Sequence, residues 1–160
     1  MHETQRLDSG WFILFTLFAA FVLTIIPLPA EVEPFRPEWV ALAVIYWCMA
    51  QPLRVGVGVA WLLGITLDII QGTLLGQHAL GMTLIAFLVV KFHQRIRTFP
   101  LWQQLMIVLT LIAIYKLLTL WIMGILGKTP DTWLYWASGL SSMLLWPWLS
   151  SILRTKTETK

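Results

Sequence analysis

From Trp11 to Ile26 the chain carries no charge, and from Leu101 to Ile114 it carries none again. Blocks of that length are what a lipid-facing helix requires, because a helix rises about 1.5 Å per residue and the hydrocarbon core is about 30 Å thick. Inside that core every backbone amide must find its partner within the segment, which leaves the helix as the natural solution for an unbroken apolar run. The whole composition agrees: 58% of the 160 residues are hydrophobic and 12% are charged, about half the charge of an ordinary soluble domain. The expected fold class is an all-α, polytopic membrane protein forming a single integral-membrane domain over residues 1–160.

Apolar runs bounded by polar residues, proline or glycine place about six spans, near 11–30, 37–53, 55–76, 78–92, 102–127 and 132–153. The second and fourth are short, about 25 Å and about 22 Å against the bilayer's roughly 30 Å. The first follows a short polar start containing Arg6; it is too long for a signal peptide, and Leu28-Pro29-Ala30 offers no convincing cleavage pattern. It reads as a permanent span.

Loop charge sets the orientation, since lysine and arginine favour the cytoplasmic side. Six spans put Arg6, Arg54, Lys91, Arg95, Arg97, Arg154, Lys156 and Lys160 on one side, against Arg36 and Lys128 on the other. Both termini are therefore expected in the cytoplasm, with Glu31, Glu33, Glu38 and Asp131 outside. If spans 2 and 4 fail to cross, Arg54 changes sides and a four-span arrangement results. Trp11, Trp39, Trp102, Trp133 and Trp136 fall near span ends, where amphipathic rings favour the headgroup level. Trp47, Trp61 and Trp121 do not, and are expected to pack between helices or face lipid.

Asp68 is the first polar residue to examine, because a carboxylate within a span must be protonated, paired or turned to a polar interior. It belongs to a series, Gly56, Ala60, Gly64, Asp68, Gly72 and Gly76, that recurs every four residues and draws one small-residue stripe suited to close helix approach. Hydrogen bonding to a neighbouring helix is the plain reading of Asp68; proton or ligand handling is the alternative. Lys116 in span 5 is expected at a similar depth, where it either pairs with Asp68 or snorkels towards an interface. The basic segment Lys91, Arg95 and Arg97, read as a cytoplasmic loop, suits anionic headgroups or an acidic partner surface, beside its role in topology.

Little in the sequence suggests catalysis. His2, His78 and His93 fall in the tail and loops without metal-ligand spacing, and Ser138, Ser141 and Ser142 lack a histidine base at their depth. The single cysteine, Cys48, reads as a small buried hydrophobe. No catalytic residue, cofactor or metal is expected. Nucleic acid is not an expected partner either, because the +3 net charge is scattered among apolar blocks. Pro147 within span 6 should kink or end its helix.

Phe35-Arg36-Pro37-Glu38-Trp39, the run Gly64-x3-Asp68-x3-Gly72-x2-Leu75-Gly76-x2-Ala79-Leu80, Leu101-Trp102-Gln103-Gln104 and Leu145-Trp146-Pro147-Trp148 together resemble the rod shape-determining membrane protein family MreD, in its Gram-negative form. The likeness runs from about residue 11 to 154. It implies a non-enzymatic scaffold subunit in the inner membrane, within the complex that organises side-wall peptidoglycan synthesis. The implied partners are MreC, the actin-like MreB filament, RodA and its penicillin-binding transpeptidase, besides membrane lipids. The family also resembles, more distantly, the substrate-binding membrane subunits of vitamin importers, which keeps a small-molecule carrier as the alternative reading.

Overall fold

The computed structural model describes the backbone of residues 2–130 and 133–158, and the side chains of residues 10–130 and 133–154. Asp131 and Lys160, and the side chains of His2, Arg6 and Lys156, for which a side of the membrane or a tail position is expected, lie outside the described residues. Among the described residues six α-helices form one bundle: α1 (His2–Ile25), α2 (Trp39–Ala50), α3 (Val57–Gln71), α4 (Gln77–Thr98), α5 (Leu101–Ile125) and α6 (Ala137–Glu158). Single 3-10 turns, Glu33–Phe35 and Trp133–Trp136, precede α2 and α6.

At the centre lies α2. Every residue from Val40 to Met49 is buried, so the helix is apolar all round and covered all round by α1, α4, α5 and α6. Trp47, fully buried, donates its indole N–H to Thr16 Oγ1 of α1 at 2.9 Å, which allows so large a polar-edged ring to lie in the core. Cys48 is buried beside it as a free thiol. The outer faces are apolar too. Trp11, Phe15 and Phe18 on α1, Trp121 and Ile125 on α5 and Trp148 on α6 are all more than 65% exposed, a surface that suits lipid and not water. Among the described residues two helices, α4 and α5, are long and apolar enough to cross a membrane; Gly10–Ile25 and Val57–Gln71 are shorter apolar helices.

Helix ends depart from the predicted spans where backbone conformation intervenes. The third span was expected to run to residue 76, but α3 stops at Gln71 because Gly72 takes φ +66°, and the Thr73 N–H reaches back to the Asp68 carbonyl at 3.0 Å. That six-to-one bond with a left-handed glycine is the Schellman ending. Gly76, φ +100°, then starts α4. Gly72 and Gly76 thus leave the four-residue stripe: they shape a turn, and a Cβ at either would meet nothing within 4 Å.

The fourth span shows the opposite departure. α4 does not end at residue 92 but continues through the basic segment, so Lys91, Arg95 and Arg97 are helical and not in a loop. His93 is likewise on α4. The helix stops before Pro100, whose neighbour Phe99 is pushed to extended backbone. At 22 residues α4 is about 33 Å long, and the short helices are α2 and α3. Pro147 lies inside α6, which continues past it.

Candidate functional site

The residues singled out on α3 converge on the turn into α4. Gly64 meets Ala79 so closely that a Cβ added at Gly64 would lie 2.3 Å from the Ala79 Cα. One helical turn later comes Asp68, which is fully buried and three residues from the end of α3, not at its middle. Its Oδ1 accepts the Thr73 hydroxyl at 2.8 Å and the His78 N–H at 2.9 Å, and lies 2.7 Å from His78 Nδ1. Its Oδ2 accepts the N–H of Gly76 at 2.9 Å and that of Ala79 at 3.4 Å. The first amides of a helix have no partner within it, and a carboxylate is their best acceptor. Asp68 therefore caps α4 from a different helix, and its cost of burial is offset by the donors around it.

Behind this wall lies a cavity of about 420 Å³, lined at the same end of the bundle by Arg36, Glu38, Gln77, His78, Tyr115 and Lys116 among others. Lys116 does not meet Asp68 but pairs with Glu38. Its Nζ lies 3.2 Å from Glu38 Oε1 and 3.9 Å from the centre of the Tyr135 ring, with the residue 5% exposed. The reason is geometric: Asp68 is already saturated by the α4 amides, while Glu38, at the N-terminus of α2, faces α5 and α6. The Glu38 backbone N–H is taken by Ser142 Oγ at 2.9 Å, and Tyr135 donates its hydroxyl to the Lys116 carbonyl at 3.1 Å. Arg36 pairs with Glu33 at 3.0 Å and donates to the Thr24 and Ile26 carbonyls, closing the C-terminal end of α1. Each cation of the cavity wall thus has its acid.

His78, Thr73, Glu38 and Arg36 are the contributors that reading for sites along the sequence passed over. A loop position is expected for His78 from the sequence, but it is on the first turn of α4 and buried. A signal existed, since Thr73 and His78 follow Asp68 at distances that a tight turn between two helices brings back to the carboxylate. Glu38 was counted only as an outer acid. Among the described residues no three His, Cys, Asp or Glu side chains gather where a metal could be held.

The Tyr115 hydroxyl borders the cavity but is buried without a hydrogen-bond partner. Removing an unsatisfied polar group relieves its desolvation cost. Tyr115→Phe should therefore leave thermal stability in detergent unchanged or slightly raised, by up to about 1 kcal/mol. A loss of several degrees in Tm would show that the hydroxyl does find a partner.

Comparison with known proteins was decisive. The family model for rod shape-determining protein MreD matches residues 5–156. This chain belongs to the MreD family. The rod shape-determining protein MreD of Haemophilus influenzae is 33% identical over 150 residues, which span 93% of each chain. No solved structure matches significantly. The segments that carry the MreD resemblance are anchor points of this fold. Arg36 and Glu38 bind α1 and α5 at one end, and Gly64 to Leu80 forms the α3–α4 seam with the Asp68 cap. At the other end Gln104 donates to the Ile96 carbonyl at 3.1 Å, and the buried Trp146 indole N–H approaches Gln104 Oε1 at 3.4 Å.

Proposed function

We propose that this chain is a non-enzymatic membrane scaffold of the rod-elongation complex, holding MreC, RodA and its penicillin-binding transpeptidase near the MreB filament so that side-wall peptidoglycan is laid down along the cell. The observation that carries the reading is the MreD family match over nearly the whole chain. Six helices spanning the inner membrane, with both termini cytoplasmic, fit the charge distribution: Arg54, Lys91, Arg95, Arg97 and Arg154 fall at one end of the bundle and Glu31, Glu33 and Glu38 at the other. The chain forms one integral-membrane domain, and its partners meet it through helix faces such as the exposed aromatic side of α1, or through its short connections. Gly64, Asp68 and the Lys116–Glu38 pair serve that role by fixing the helices.

The test is a detergent pull-down of the tagged protein from membranes of a rod-shaped bacterium, with co-purifying proteins identified by mass spectrometry. MreC with wall-synthesis enzymes is the expected result. Recovery of the protein alone, or with the ATPase subunits of a transporter, would sink the scaffold reading. The 420 Å³ cavity favours a second reading, a substrate-binding membrane subunit. In that case saturable ligand binding should respond to changes at Lys116 or Gln77, which line the cavity, more than to changes at Asp68 behind it.

A further inference from the structure

At the end of the bundle opposite the polar cavity, α4 and α5 leave a groove of about 400 Å³ between them. Its walls are hydrocarbon: Phe92, Ile96 and Phe99 on one side, Met106, Ile107 and Ile114 on the other. Its polar hydroxyl, on Thr110, is spent on the Met106 carbonyl at 2.8 Å. Among the described residues the one charge in its wall is Arg95, in the last turn of α4. Gln104 holds the corner closed by donating to the Ile96 and Phe99 carbonyls.

Arg95 is exposed, and the acids whose side chains are described lie at the far end of the bundle. Glu31, Glu33, Glu38 and Asp68 all belong to the other end, and His78, which touches Asp68, is 17 residues and so about 25 Å along α4 from Arg95. The groove opens on the outside of the two helices long and apolar enough to cross a membrane. An occupant must therefore reach it from the bilayer, offer an apolar chain to the walls and bring a negative head to the guanidinium.

We infer that this groove is a binding site for an anionic phospholipid, with one acyl chain lying between α4 and α5 and the phosphate held by Arg95. A guanidinium presents parallel N–H donors that match phosphate oxygens in pairs, which a diffuse positive surface does not. Lys91 provides the contrast. It lies on the same end of α4 but does not line the groove, its Nζ standing 5.5 Å from the ring centre of Phe92 and 5.9 Å from that of Phe87. The inference requires that α4 and α5 be in the bilayer and is independent of the rod-complex role.

The experiment is native mass spectrometry of the purified full chain released from nanodiscs of equal parts phosphatidylglycerol and phosphatidylcholine with matched acyl chains. Wild type should retain phosphatidylglycerol preferentially. Arg95→Gln should lower that retention about tenfold, the loss expected for one charge-assisted contact, while Lys91→Gln leaves it unchanged. Equal retention of the two lipids by wild type, or equal losses in the two variants, overturns the site in favour of ordinary annular lipid or diffuse charge. A photoreactive residue replacing the half-exposed Phe92 in cell membranes should give an adduct of lipid mass. An adduct with a partner protein or a second copy of the chain overturns the inference as well.

Discussion

Gly64→Ala will destabilise the bundle more than any other single-methyl addition to its glycines. The new Cβ would lie 2.3 Å from the Ala79 Cα and 2.8 Å from the Ala79 nitrogen, so the obstacle is backbone and cannot rotate away. Overpacking of this kind costs about 1–3 kcal/mol where neighbours can shift, and here the neighbour is the first turn of α4. Gly81→Ala is milder despite a 2.5 Å approach, because what it meets is the Tyr115 ring edge. Gly58→Ala meets nothing within 4 Å and should be neutral or better, since alanine favours the helix. Thermal unfolding of the three variants in one detergent, followed by fluorescence-detected gel filtration, gives the order directly. If Gly64→Ala melts with wild type, the α3–α4 seam is looser than described.

Asp68→Ala should cost about 3 kcal/mol or more, because each buried donor left without an acceptor costs about 1–3 kcal/mol. It strips the acceptor from the N–H groups of Gly76 and His78 and from the Thr73 hydroxyl in a place that water does not reach easily. Asp68→Asn should be intermediate, because its oxygen can still serve His78 and Thr73 while its amide group faces the Gly76 donor. Against a total stability of about 5–15 kcal/mol, the alanine variant should accumulate poorly in membranes. Gly64 and Asp68 are one turn apart and act on the same residues of α4, so their effects should add to less than the sum in the double variant. Asp68→Ala with wild-type abundance and melting would overturn the capping role. Normal abundance combined with round cells would move Asp68 from architecture to function.

The helices were legible because hydrophobicity in this chain is block-like: six apolar runs became six helices, and prolines such as Pro100 marked a true end. What misled was punctuation by composition. Lys91, Arg95 and Arg97 look like a loop because charge usually follows the end of a span, yet nothing in those residues breaks a helix, and α4 carries on through them. Gly72 and Gly76 look like a continuation of the small-residue stripe because their spacing is right, but their positive φ angles belong to a turn. A four-residue repeat records positions on a helix only as long as the helix lasts.

The site was half visible. Asp68 and Lys116 stand out as ionisable residues within apolar runs, and both are buried and paired. Their partners were hidden for different reasons. His78 and Thr73 reach Asp68 only once the Gly72 turn reverses the chain, and Glu38 reaches Lys116 across 78 residues. Depth along a span constrains which residues share a layer. It does not say which helices are neighbours.

The burial of α2 from Val40 to Met49 bears on how this protein is made. Twelve residues give a helix of about 18 Å, well short of a hydrocarbon core of about 30 Å, so the segment is poorly suited to rest in lipid by itself. As it leaves the ribosome its only finished neighbour is α1, and the walls supplied by α4, α5 and α6 do not yet exist. The order of synthesis thus leaves the central helix waiting on the last ones, and truncation after α3 should yield a product that membrane proteases remove.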